Sequence, residues 1–112
     1  MKEKIAIPTK NKALCAHFGH CDAFAIFEIE DNRVVSESFI VPPPHQPGIL
    51  PGWLAEQGVT HVISGGMGHK AISLLNQFQI SSHVGAPNKP ATDLVNDYLS
   101  NNLVTGNNQC DH

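Results

Sequence analysis

Of the seven histidines and three cysteines in this 112-residue chain, two of each stand within seven consecutive residues, Cys15-Ala16-His17-Phe18-Gly19-His20-Cys21. Thiolate and imidazole are the donors that soft and borderline metals and iron-sulfur clusters take. A third thiol, Cys110, with His112 two residues on, closes the chain in a stretch with no apolar pattern and so no core to serve. The repeated pairs of a zinc ribbon, two Cys separated by two residues, are not present. Composition leaves two readings open. Cys15, His17, His20 and Cys21 form a metal loop supplemented by Cys110 and His112, or the thiols are small buried side chains and the histidines are solvated.

A second constellation is Gly65-Gly66-Met67-Gly68, followed by His69 and Lys70. Between a strand and a helix, such a segment can present backbone N–H groups and the helix dipole to an anion. The ordinary alternative is a tight turn. No Gly-Lys-Ser/Thr follows, and the three-glycine dinucleotide fingerprint is incomplete, so a nucleotide loop of the usual kind is excluded. Lys10 and Lys12 precede the Cys/His loop, and His69 and Lys70 follow the glycines. Positive charge therefore gathers on both sides, and an anionic ligand is expected.

These side chains need elements to hold them. Residues 2–8 read as a short strand that Pro8 ends, because proline cannot donate to a ladder. Residues 9–22 read as loop. Residues 23–30 and 33–41 are strand-like and joined by Asp31-Asn32, a pair suited to a tight hairpin. The proline-rich run 42–48 is a crossover, and residues 49–57 a short helix with Gly58 just past its end. A strand over 59–64 leads through the glycines to a helix carrying Ala71, Leu74, Leu75 and Phe78 at helical spacing. A strand over 80–84 precedes a last helix opened by Pro90, with Ala91, Leu94, Val95, Tyr98 and Leu99 as its apolar stripe.

Trp53 reads as core, His61 and His83 as hydrogen-bonded structural histidines inside strands, and His45 in the crossover is undecided. The pattern predicts an α/β domain over 1–103, a three-layer α/β/α arrangement with a mixed sheet, and a flexible Cys/His tail over 104–112. If the first and fourth strands are neighbours, the Cys/His loop and the glycine loop flank a crevice beyond the carboxyl ends of parallel strands.

Composition narrows the function classes. With 41% hydrophobic and 15% charged residues, and 8 Pro and 9 Gly spread along the chain, one compact domain is expected. A formal charge of −3 with Arg33 as the one arginine argues against binding nucleic acid through its phosphates. No run approaches the roughly 18 apolar residues of a membrane span. An odd cysteine count and a charged N-terminus without an apolar core read as a cytoplasmic protein rather than a disulfide framework.

The order His17-Phe18-Gly19-His20, Phe24-Ala25-Ile26-Phe27, Leu54-Ala55-Glu56-Gln57-Gly58-Val59, Gly65-Gly66-Met67-Gly68 and a terminal Cys110-Asp111-His112 resembles the dinitrogenase iron-molybdenum cofactor biosynthesis family over nearly the whole chain. The resemblance implies a ribonuclease-H-like fold with a five-stranded mixed sheet in order 3-2-1-4-5, strand two antiparallel. It implies a small non-catalytic protein that binds, carries or protects an iron-sulfur or iron-molybdenum-type cluster and exchanges it with donor or acceptor proteins, as a monomer or weak homodimer. By motif position, Cys15, His17, His20 and Cys21 would face the metal, with Gly65, Gly66, Met67, Gly68 and His69 beside them. Ribonuclease-H-type catalysis is disfavoured, because residues 2–8 supply Glu3 as the one carboxylate where two divalent ions would need several. A zinc or redox-thiol module is the alternative, and a partner-binding domain without metal a further one.

Overall fold

The computed structural model describes residues 2–10, 13–14, 23–42, 49–87 and 89–103. The sheet contains β1 (Lys2–Lys10), β3 (Ala23–Glu30), β4 (Arg33–Ile40), β5 (His61–Ile63) and β6 (Ser81–His83), with a two-residue β2 (Ala13–Leu14) paired onto β1. Its order is β4-β3-β1-β5-β6. Leaving β2 aside, this is 3-2-1-4-5, and β3 runs opposite to its two neighbours while β1, β5 and β6 are parallel. That is the ribonuclease-H-like arrangement the resemblance implies.

The helices are α1 (Ile49–Glu56), α2 (His69–Gln77) and α3 (Ala91–Leu99). Side chains alternate across a strand, and the central strand β1 buries both sets. Ile5 and Ile7 join Ala25, Phe27 and Ile63 against Leu94 and Val95 of α3. Ala6, Phe24, Ile26 and Val62 pack on the other face against Leu50 and Leu54 of α1 and Leu75 of α2. Two cores separated by one sheet make the three layers, and burial on both sides explains why β1 reads as a continuous apolar run. Trp53 is half-buried at the edge of the second core, its ring 5.6 Å from that of Phe24.

The hairpin turn forms where expected. Asp31 and Asn32 have φ of 51° and 63°, the conformation that matches the twist of the flanking strands. Gly58, with φ of 81°, ends α1. Strand β1, however, does not stop at Pro8 but continues to Lys10, with Pro8 registered against Phe24. The N–H and C=O of Lys4 both face Thr60, on the β5 side. Pro8, an even number of residues on, turns its absent N–H to that same side, beyond the last residue of β5, so the ladder to β3 loses no donor. Strand β4 forms the exposed edge, and between Glu28↔Ser36 and Ile29↔Val34 it carries one extra residue, Val35, as a bulge.

Candidate functional site

The parallel strands β1, β5 and β6 deliver their carboxyl ends to one side of the sheet, and the glycine segment singled out by sequence follows β5 there. Thr9 is paired with Ala23 of β3 and also with Leu14 of β2. A strand has two edges, so β2 occupies the edge that β5 fills lower down, at Ile5 and Ala6. Because β2 runs antiparallel to β1, the chain at Leu14 heads toward the end of β5. At about 4.8 Å per strand, the backbones of Leu14 and Ala23 stand roughly 10 Å apart across Thr9. Residues 15–22 join these two points in the sequence and lie outside the described residues.

The glycine segment is fixed by its neighbours. The Ser64 N–H donates to His83 O at 2.8 Å, its hydroxyl donates to Gly66 O at 2.9 Å, and the Gly85 N–H donates to Gly65 O at 3.0 Å. The turns after β5 and β6 are thereby tied together, with Gly85 at φ 79° a glycine the backbone requires. Gly65, Gly66 and Gly68 are different, since none has positive φ. At Gly68, φ is −66° and ψ 154°, which any residue adopts. What these glycines lack is bulk. A Cβ on Gly68 would meet nothing within 4 Å, so open space lies in front of the first turn of α2.

Gly68 is also the N-cap of α2, and no side chain caps the helix. The first N–H groups of a helix have no intrahelical acceptor, and α2 has no acidic residue in its first turn. His69 and Lys70 are exposed there, as is Lys10 at the end of β1. Electrostatics and space together suit an anion.

Cys15, His17, His20, Cys21, His45, Cys110 and His112 lie outside the described residues. Among the described residues, no three His, Cys, Asp or Glu side chains form a group able to hold a metal ion. Gly65, Gly66 and Met67 are buried, Gly68 is half-buried and His69 is exposed.

One polar cluster escaped sequence reasoning. On the α3 face, Tyr98 donates its hydroxyl to Glu3 Oε2 at 2.7 Å, and His61 Nε2 lies 3.4 Å from the same oxygen. His61 Nδ1 is 2.8 Å from Thr60 Oγ1, so both of its nitrogens are committed, as expected of a structural histidine. His83 departs from that expectation. Its ring stacks on His61 with centroids 5.9 Å apart, and its Nε2 is buried without a hydrogen-bond partner.

Burial, then the neighbouring His61, hold the His83 pKa below its usual value, against a smaller opposing pull from Glu3. Burial and the Glu3 bond push Tyr98 up to about 12. Glu3, Asn32, His83, Tyr98, Asn101 and Leu103 line a cavity of about 420 Å³. These residues are brought together by strand register and by the return of α3, so no local motif announces them.

A family model described as dinitrogenase iron-molybdenum cofactor matches residues 1–101. An uncharacterized Methanocaldococcus jannaschii protein, MJ0580, is 35% identical over 82 residues, covering 69% of this chain and 70% of the relative. The crystal structure of PH0822 superposes with a TM-score of 0.86 at 25% identity, over 91% of this chain and 93% of that one. The apo form of the orange protein from Desulfovibrio gigas shares the fold, with a TM-score of 0.78 at 16% identity over 95% and 94% of the two chains. No helix among the described residues is long and apolar enough to cross a membrane.

Proposed function

The chain belongs to the dinitrogenase iron-molybdenum cofactor family, and from that premise we propose that it is a non-catalytic carrier of an anionic iron-sulfur or iron-molybdenum-type cluster. The cluster is cargo, received from a donor protein and passed to an acceptor. Cys15, His17, His20 and Cys21 supply its ligands, and the 65–69 segment supplies backbone N–H groups and the positive end of α2. The observation that carries this reading is the glycine segment. Its residues 65, 66 and 68 need no left-handed conformation, and at Gly68 the missing side chain leaves open space at an uncapped helix start. A turn alone does not call for glycine at these positions. A close-approaching anion does.

Thiolates and imidazoles on one side and amide donors on the other match a cluster with terminal metal sites and exposed sulfides. Exposed Lys10, His69 and Lys70 add attraction that falls with ionic strength. The test is anaerobic reconstitution, comparing bound metal and sulfide in the natural chain and in a Cys15→Ser, His17→Ala, Cys21→Ser variant. The reading expects loading to collapse in the variant and visible absorption to accompany it in the natural chain. Equal loading of both removes the loop from the site, and colourless tetrahedral zinc in place of a cluster favours the zinc module instead.

A further inference from the structure

The large apolar side chains exposed among the described residues are Val34, Val35, Phe39, Val41 and Phe78, and all but Phe78 lie on β4 or directly after it. Strand β4 is an edge of the sheet, and every residue from Arg33 to Phe39 is exposed. The opposite edge, β6, is short and polar, Ser81-Ser82-His83. Register shows which backbone groups of β4 are free. Lys4 turns its N–H and C=O to the β5 side, so β1 bonds β3 through the alternate residues Ile5 and Ile7, opposite Phe27 and Ala25. β3 then turns the backbone groups of Ile26 and Phe24 toward β4, where they meet Ser38 and Ile40. The intervening Glu37 and Phe39 therefore point their N–H and C=O outward from the sheet, and the alternation continues to Val41. Glu37 and Phe39 are registered with Phe27 and Ala25, so their side chains stand on the α3 face. Helix α3 does not cover them there, and Phe39 is 44% and Val41 76% exposed.

We infer that this edge pairs with the same edge of a second copy of the chain, antiparallel, with Phe39 on the two-fold axis. A strand that meets itself in this way must bring outward-facing residues opposite outward-facing residues, which leaves few centres. Centring on Glu37 sets two carboxylates directly opposite each other, and centring on Ser38 spends Phe39 on the partner's Glu37. A centre further on, at Ile40, leaves Glu37 without an opposite residue. Centring on Phe39 sets the two rings opposite each other, places Val41 opposite the partner's Glu37, and brings Phe39 within diagonal reach of the partner's Val41. The exposed apolar side chains then close into one cluster, with a carboxylate at each end. The bulge at Val35 shifts the alternation, so pairing stops short of Arg33. An edge that complements itself closes on two copies and leaves no free β4 edge for a third. That self-match is what favours a second copy over a foreign strand. Glu37 to Val41 is a short contact, so the dimer is weak and reversible. This inference does not depend on the carrier reading.

The test is sedimentation equilibrium of the full chain under reducing conditions, which prevent cysteines from cross-linking copies. The expected result is a monomer–dimer equilibrium with Kd on the order of 10⁻⁵–10⁻³ M. Phe39→Lys should abolish the dimer over that range. Val41→Glu sets a carboxylate opposite the partner's Glu37, whereas Val41→Lys sets an ammonium there, and the two-fold axis repeats each pair. Val41→Lys should therefore self-associate roughly tenfold more tightly than Val41→Glu. Amide exchange at rising concentration should slow at Glu37 and Phe39 and stay constant at Ser38, which is already bonded to β3. A chain that remains monomeric throughout, a Phe39→Lys variant that dimerises as before, or equal affinities of the two Val41 variants each overturns the proposal. Should Phe39→Lys fail to fold, the Val41 variants, altered at a highly exposed residue, and the exchange pattern decide the same point. Slowing confined to residues other than Glu37 and Phe39 overturns it. Cluster loading enters none of these measurements, so failure here leaves the carrier reading untouched, and failure of loading leaves this interface untouched.

Discussion

Replacing Gly68 by alanine separates the two roles a glycine can have at the start of α2. The substitution meets no atom within 4 Å and sits at φ −66°, ψ 154°, where a Cβ causes no strain. Two small effects oppose each other in folding. Alanine is a poorer N-cap than glycine by up to about 1 kcal/mol, whereas Gly→Ala at a compatible backbone stabilises by about 0.4–1 kcal/mol through the unfolded chain. The net change should stay within about 0.5 kcal/mol. At roughly 4–8 °C per kcal/mol for a domain of this size, the melting midpoint should move by less than about 4 °C.

Ligand binding should respond very differently. The methyl group enters the space before the first free N–H groups of α2, and loss of one hydrogen bond to a charged acceptor costs about 1.5–3 kcal/mol. Affinity for a thiomolybdate anion should fall roughly ten- to hundredfold. Thermal melting by circular dichroism and absorbance titration with tetrathiomolybdate measure the two quantities on one sample. A normal melt with unchanged affinity would refute the cradle. A midpoint lowered by much more than 4 °C would instead show that the backbone at Gly68 is under a constraint the geometry does not reveal.

Two further outcomes are expected. Leu94 is fully buried between α3 and the sheet, so Leu94→Ala should cost about 2–5 kcal/mol in urea unfolding, and a loss below about 1 kcal/mol would mean that α3 is not packed as described. In the metal-free protein, His83 faces His61, Glu3 and Tyr98 and has a depressed pKa. Stability from keeping it neutral is present above pH 6.5 and is lost as pH falls through the folded value, so the midpoint of the natural chain should drop more steeply between pH 7 and 5 than that of His83→Gln, and parallel profiles would falsify the assignment.

Local chemistry was readable in the sequence wherever a residue acts through its own backbone. Ala23–Glu30 forms the strand its composition predicts, Asp31-Asn32 turns it, and the stripe from Ala91 to Leu99 becomes α3. Pro8 misled because its effect depends on which edge of β1 its nitrogen faces, and that is settled by where β5 stops. The glycines after β5 were located correctly, yet the need for positive φ falls on Gly85 instead. The Glu3, His61, His83 and Tyr98 cluster was invisible because Glu3 and Tyr98 are 95 residues apart and meet only when sheet and helix are both complete. The place of the glycine segment at the carboxyl end of β5 was legible because strand order follows from the pattern of elements, whereas the candidate ligands at 15–21 offered type and spacing alone.

Strand order also has a consequence for how the protein is made. Of the strands described, β1 is made before the others and ends in the middle of the sheet, flanked by β3 on one side and β5 on the other. Its antiparallel partner β3 and the strand β4 that pairs with β3 are complete by Ile40, joined by a two-residue turn, so a three-stranded meander can assemble before β5 is made. β5 pairs with β1 across 56 residues, as Ile5↔His61, and must wait for the crossover and α1. Contacts of such long separation close slowly. Nascent chains therefore pass through an interval in which Ala23 is already held against β1, while the β5 edge of β1 is bare and the whole glycine segment is still missing. Until β5 arrives, that bare edge is the part of the newborn chain most prone to pair with a neighbour.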